Sequence, residues 1–167
     1  MQGFFRKEKL LKTQRLTVYA LVCGMYVLLS FMFAEFSFGP LQFRPSEFLN
    51  LLAFYHPGFV LPISLGCAIS NFASPFGLVD VVVGTLHTFL SLKAMTLVKK
   101  DWIAALFPAL FAFIIGLEIY FLTGAKISFF VITAQIMASE LILGMISVPF
   151  YRKFFGYKKI REFLKGL

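Results

Sequence analysis

Four long apolar stretches dominate the pattern of hydrophobic and polar positions along the chain. They cover residues 16–33, 78–97, 102–122 and 127–148. Each contains roughly 18–22 residues, which form an α-helix about 27–33 Å long. The hydrocarbon core of a bilayer is about 30 Å thick. We therefore predict that each stretch is a transmembrane helix.

Between the first two stretches lies a further apolar region that is either one long span or two short ones. Pro57 lacks a backbone donor and disfavours a helical conformation at His56, and Gly58 permits a sharp turn. We therefore predict two short helices, about 15 and 21 Å long, which must pack against other helices or line a cavity. These helices cover residues 46–55 and 58–71.

The distribution of positive charge decides between five and six spans. With six spans and a cytoplasmic N-terminus, every Lys and Arg except Arg44 and Lys126 lies in a cytoplasmic segment. With five spans most of them would lie outside, against the preference of basic residues for the cytoplasmic side. We therefore predict an all-α integral membrane protein of the plasma membrane. It has six transmembrane helices, the second and third of them short, and both termini lie in the cytoplasm.

The predicted organisation is a single membrane domain over residues 1–167. A cytoplasmic interfacial segment (1–15) precedes a six-helix bundle (16–149), and a basic cytoplasmic tail (150–167) follows it. Both ends combine Lys and Arg with large apolar residues, which is typical of helices at the membrane surface. The two ends either anchor the topology or dock onto a partner.

Composition and motifs limit the class of protein. Apolar residues make up 59% of the chain and charged residues 14%, whereas soluble domains contain about 25% charged residues. The net charge of +8 lies in the short hydrophilic segments, so we attribute it to lipid headgroups rather than to nucleic acid. The sequence has no P-loop, HExxH or GxSxG motif. We expect no ATP hydrolysis by this chain, no catalytic residue, no metal ion and no cofactor.

Polar residues occur in or beside the predicted spans, although an ionisable group at the bilayer centre costs about 2.5–3.5 kcal/mol. Such groups are tolerated where they face one another or a cavity. The predicted topology places most of them in the outer half of the membrane, with His87 and Glu140 nearer its midplane. We therefore predict a pocket for a small polar solute. Its candidate residues are Gln42, Arg44, Glu47, Asn71, Asp80, His87, Glu118, Gln135 and Glu140.

Several of these residues have a structural alternative. Arg44 and Glu47 are three residues apart and could form an ion pair along one helix. Asp80 could stabilise the N-terminus of its helix, and His87 could be a packed, hydrogen-bonded histidine. The acids of the fifth and sixth predicted helices are harder to explain structurally, because no Lys or Arg lies within those helices.

Six short segments resemble those of the QueT-type substrate-binding (S) components of energy-coupling factor transporters. The resemblance extends over nearly the whole chain and is most specific in the central block that includes Asp80. The segments are QFRPSE (42–47), GCAISN (66–71), SPFGLVDVVVGT (74–85), GLE (116–118), SEL (139–141) and PFYR (149–152).

The resemblance implies a six-helix S component that captures its solute from outside the cell. Such a component associates with a transmembrane coupling protein and two ATPase subunits. The implied solute is a queuosine precursor, a substituted 7-deazaguanine. Ala20 and Gly24 resemble the small-residue motif that S components use against the coupling protein, although the second residue of that motif is usually Ala.

Other functions are compatible with these residues. The chain could be an S component for another vitamin or nucleobase-like solute, or a secondary transporter that acts alone. It could also be a small membrane enzyme that uses Glu118, Glu140 and His87 as acid–base groups, although no nucleophile or metal motif supports this.

Reporter fusions test the predicted topology. We expect green fluorescent protein to fluoresce at either terminus, and alkaline phosphatase to be inactive there, because both termini are predicted to be cytoplasmic. Phosphatase inserted between the fifth and sixth predicted helices should be active and serves as the control. Termini on opposite sides of the membrane would contradict the six-span prediction.

Overall fold

The computed structural model describes residues 11–38, 43–124 and 128–167, and every regular element within these ranges is a helix. Ten are α-helices and two, η1 and η2, are 3₁₀ helices. In chain order they are α1 (Lys12–Met32), α2 (Ala34–Ser37), η1 (Pro45–Leu51), α3 (Leu52–Tyr55), η2 (Pro57–Phe59), α4 (Val60–Asn71), α5 (Leu78–Met95), α6 (Asp101–Ala104), α7 (Phe107–Phe111), α8 (Phe113–Leu122), α9 (Phe129–Gly156) and α10 (Lys158–Gly166).

Four helical segments of the described chain are long and apolar enough to cross a membrane. They are Lys12–Met32, Leu78–Met95, Asp101–Leu122 and Phe129–Gly156, and they confirm the four long helices predicted from hydrophobicity. The third is not one regular helix but α6, α7 and α8 in succession. The bounds also differ from the prediction, since α1 begins inside the predicted interfacial segment and α9 continues past Pro149.

The predicted break at His56 is present, but the first of the two short segments is mainly the 3₁₀ helix η1 rather than an α-helix. A 3₁₀ helix rises about 2.0 Å per residue and an α-helix about 1.5 Å, so η1 covers more depth per residue. His56 has an extended backbone (φ −150°, ψ 114°), as expected before Pro57. Its Nδ1 accepts a hydrogen bond from the Gly58 N–H at 3.1 Å.

The centre of the bundle is α4, which packs against both α1 and α5. Gly66 permits the close approach to α1, because a Cβ added there would lie 2.9 Å from the Cβ of Tyr26 and 3.0 Å from the Cys23 carbonyl oxygen. Buried side chains of η1, α3 and α9 join these helices in one apolar core. A second cluster links α8 to α9 and consists of Ala112, Ile115, Ile119, Ile132 and Ile136.

The outward surface of the long helices is apolar. Only Tyr26 and Ser30 are buried on α1, while Leu21, Leu28 and Met32 are more than half exposed. Contiguous exposed apolar surface of this kind is unfavourable in water and suits contact with lipid chains. Together with the four membrane-length segments, this surface identifies a multi-pass membrane protein.

One end of the bundle is held by a polar cluster that joins α3, α6 and α9. The Asp101 carboxylate accepts two hydrogen bonds from the guanidinium of Arg152, both at 2.6 Å, and one from the Tyr55 hydroxyl at 3.3 Å. The bidentate geometry fixes the end of α9 against the start of α6. This end, called the Asp101 end below, lies opposite the candidate solute site.

Candidate solute-binding site

The centre of the site is Arg44, a buried guanidinium just before η1. Its Nη1 donates to Asn71 Oδ1 at 3.0 Å, its Nη2 lies 3.4 Å from Asp80 Oδ2, and its Nε donates to the Ser37 carbonyl at 3.3 Å. Asn71 in turn donates to the Asp80 carbonyl at 2.9 Å. Three predicted site residues, from η1, α4 and α5, therefore meet in one network.

These partners correct one of the structural alternatives and add to another. Arg44 does not pair with Glu47 along one helix. Its acidic partner is Asp80, which lies much later in the chain, on α5. Asp80 does lie in the first turn of α5, but its carboxylate is directed to the guanidinium. A buried charge needs a partner of opposite sign. For Arg44 that partner is not Glu47, the acid nearer in sequence, but Asp80.

Gly84 is required by this network. A Cβ added to Gly84 would lie 2.5 Å from Asn71 Nδ2 and 3.0 Å from Asp80 Oδ1. Any larger residue would therefore displace the amide that bridges α4 and α5. Asp80, Gly84 and His87 lie at positions i, i+4 and i+7 on one face of α5, and all three are buried.

Glu47 is buried, and both of its carboxylate oxygens accept hydrogen bonds. One carboxylate oxygen accepts a hydrogen bond from the Tyr26 hydroxyl at 2.9 Å, and the other is held by the side-chain amide of Asn50. Glu140 lines a closed cavity of about 10 Å³ together with Glu47, Asn50 and Ser147. A cavity of this size holds about one water molecule, so it is too small for an organic solute in the present conformation.

The carboxylate of Glu118 has no hydrogen-bond partner among the described residues, whereas those of Glu47 and Asp80 are paired. Both of its oxygens are buried, and neither makes a hydrogen bond to any described residue. The side chain lies close enough to Asp80 and Arg44 for their charges to act on it. An unpaired buried carboxylate is costly, so this is the position in the site where hydrogen-bond donors from a guest molecule are most needed.

His87 is a packed, hydrogen-bonded histidine, as in its structural alternative. Its Nε2 lies 3.1 Å from the Pro108 carbonyl oxygen, within a fully buried contact between α5 and α7. This bond occupies one of the two ring nitrogens. Gln135 is half-buried on α9, and Gln42 lies outside the described residues.

The predicted partner motif lies away from the polar cluster. Ala20 and Gly24 border an apolar groove of about 890 Å³ between α1 and α4, whose lining also includes Leu61 and Leu65. A Cβ added to Gly24 would meet no atom within 4 Å. The two small residues therefore lie on an open surface, where another helix can approach closely.

The sequence model of a family described as "QueT transporter" matches residues 16–154. The chain belongs to the QueT transporter family. It is similar to the queuosine precursor transporter QueT of Lactococcus lactis subsp. cremoris (strain MG1363), with 40% identity over 120 residues. The aligned region covers 67% of this chain and 70% of the relative. No solved structure matches the chain.

Sequence reasoning missed two polar residues of the cluster in this QueT family member. Tyr26 lies in an apolar span and was indistinguishable from a core aromatic, yet its hydroxyl binds Glu47. Asn50 follows Glu47 by three residues, a spacing that brings side chains together on one face of a helix. That spacing was the available signal, and it points to Asn50 as a hydrogen-bond partner of the Glu47 carboxylate.

Replacing Arg44 tests whether the network stabilises the bundle. Arg44→Gln leaves Asp80 buried without a counter-charge, which we expect to cost about 3–5 kcal/mol and to lower the thermal unfolding midpoint in detergent. Arg44→Gln/Asp80→Asn should recover part of the loss. Lys158→Gln, which removes one charge from an exposed pair with Glu162, should change stability by less than about 1 kcal/mol. A double variant no more stable than Arg44→Gln would contradict this account.

Proposed function

We propose that the chain is the S component of an energy-coupling factor importer that captures a queuosine precursor, a 7-deazaguanine derivative, from the extracellular side. Family membership supports the class of transporter, and the name of the Lactococcus relative supports the class of solute. The observation that carries the proposal within this chain is the unpaired carboxylate of Glu118 beside the Arg44–Asp80 pair.

A deazaguanine matches the chemistry of this position. Its pyrimidine edge presents two adjacent N–H donors, and a carboxylate accepts two such hydrogen bonds. Glu118 has both oxygens available for them. The neighbouring ring carbonyl needs a donor, which Arg44 or Asn71 can supply. The solute would thereby satisfy the group that the empty protein leaves without a partner.

Entry of the solute requires a local opening, since the polar cluster encloses little space. The 3.4 Å contact between Arg44 and Asp80 is longer than the 3.0 Å bond between Arg44 and Asn71. We propose that the solute separates the first pair while the second persists. Glu140, which lines the small cavity beside Glu47, would bind an aminomethyl cation if the precursor carries one.

We further propose six membrane crossings with both termini in the cytoplasm. Contacts at the Asp101 end support this topology, because Tyr55 ends the first short segment while Arg152 lies near the end of α9. Arg44, Asn71 and Asp80 meet at the opposite end. Six segments that alternate in direction would carry the chain back and forth between these two ends of the bundle. η1 and α4 are short, and packing against α1, α5 and α9 supports them across the bilayer.

Glu118→Gln tests the solute assignment. The amide keeps the shape of the carboxylate but loses its charge and presents a donor to a solute donor, so we expect at least about tenfold weaker binding of a 7-deazaguanine precursor. Isothermal titration calorimetry on the purified chain measures this, with Glu162→Gln on exposed α10 as the matched control. Binding of a vitamin, with no deazaguanine bound, would instead indicate a different S-component specificity.

Gly24→Leu tests the proposed coupling surface. The wild-type chain should copurify with a transmembrane coupling protein and two ATPase subunits when all are expressed together. Leu at position 24 fills the open surface beside Ala20, so we expect loss of this copurification with solute affinity unchanged. Ala134→Leu, at an exposed position of α9, should copurify normally. Unimpaired copurification of Gly24→Leu would exclude this face as the contact.

A further inference from the structure

A second polar pocket lies at the Asp101 end, far from the candidate solute site. It has a volume of about 530 Å³ and is formed where α3, α9 and α10 meet. Its lining combines basic, aromatic and aliphatic side chains, and none of the described residues that line it is acidic. The residues used below are Tyr55, His56, Arg152, Phe155, Arg161 and Lys165.

The charge of this pocket is unbalanced. Arg152 is neutralised by its two hydrogen bonds to Asp101. Arg161 and Lys165 are one turn apart on α10, and neither makes an ion pair within the described ranges. Like charges at this spacing repel each other and destabilise a helix. An anion between them would remove that repulsion.

The lining of the pocket also includes a hydrogen-bond donor, His56. The Nδ1 atom of His56 accepts a hydrogen bond from the Gly58 N–H. In the neutral imidazole the proton must therefore be on Nε2, which is then a donor. A ring donor and two cations in the lining of one pocket suit the several acceptor oxygens of a phosphate group.

The pocket lies where a membrane-length helix ends. The apolar helix α9 ends at Gly156, which itself lines the pocket, and α10 turns away from it with a strongly amphipathic sequence. Phe155 and Leu164 give the pocket an apolar wall on the side of the bundle. A free phosphate would make no use of this wall, whereas the glycerol and upper acyl carbons of a phospholipid would contact it.

We infer that this pocket binds the phosphate of an anionic phospholipid in the adjacent leaflet. Arg161 and Lys165 bind the phosphate oxygens, His56 donates a further hydrogen bond, and Phe155 contacts the glycerol region. The site is independent of the solute site, because the two share no residue and lie at opposite ends of the bundle. It would hold α10 against α9 and fix the depth of the Asp101 end in the membrane.

Native mass spectrometry of the full chain in detergent, titrated with phosphatidylglycerol, tests this site. We expect the apparent dissociation constant of the first bound lipid to rise roughly tenfold in Arg161→Gln/Lys165→Gln, since each basic residue contributes several-fold near an anionic headgroup. Lys153→Gln/Lys159→Gln removes the same charge from exposed positions outside the pocket and should change the constant by less than about twofold. Lys165→Gln alone should give an intermediate value.

The remaining outcomes overturn the inference. Equal weakening in both double variants would mean that lipid associates with diffuse surface charge. Displacement of the lipid by inorganic phosphate, with phosphate retained by the pocket, would mean that a free anion is the ligand. Equal binding of phosphatidylcholine and phosphatidylglycerol would mean that the headgroup charge is not recognised. All four substituted residues are exposed, and unchanged thermal unfolding midpoints would confirm that the variants are folded.

Discussion

A guanidinium buried inside a lipid-surrounded bundle must be paired and hydrogen-bonded, and this requirement organises the site. Arg44 satisfies it with a carbonyl of α2, an amide of α4 and a carboxylate of α5. These elements are separated in sequence and are brought together at one end of the molecule by the same side chain. This network requires glycine at position 84, because the bridging amide of Asn71 occupies the space that a side chain would need.

Within this network, the distribution of satisfied and unsatisfied acids points to function. Asp80 has a cation and Glu47 has a phenol and an amide, whereas the oxygens of Glu118 have no partner among the described residues. A protein that only needed stability would gain by replacing such an acid with an apolar residue. Retaining it is physically reasonable if a guest supplies the donors, as the edge of a deazaguanine would.

Much of the fold follows from the sequence because its solvent is lipid. Hydrophobic length predicts the four long helices, and Pro57 predicts the break after His56, since each effect is local. The 3₁₀ form of η1 and the division of Asp101–Leu122 into three helices depend on tertiary packing and leave no clear local pattern. The positions of the polar residues along the predicted helices indicate which of them share one end of the bundle, but the partner of Arg44 is set by how α4 and α5 pack.

A structure of the chain with a bound 7-deazaguanine precursor tests the central claim most directly. We expect the pyrimidine edge of the base within hydrogen-bond distance of both Glu118 oxygens, with Arg44 still bonded to Asn71 and withdrawn from Asp80. A base bound elsewhere, such as in the apolar groove beside Ala20, with Glu118 still unpaired, would contradict the account.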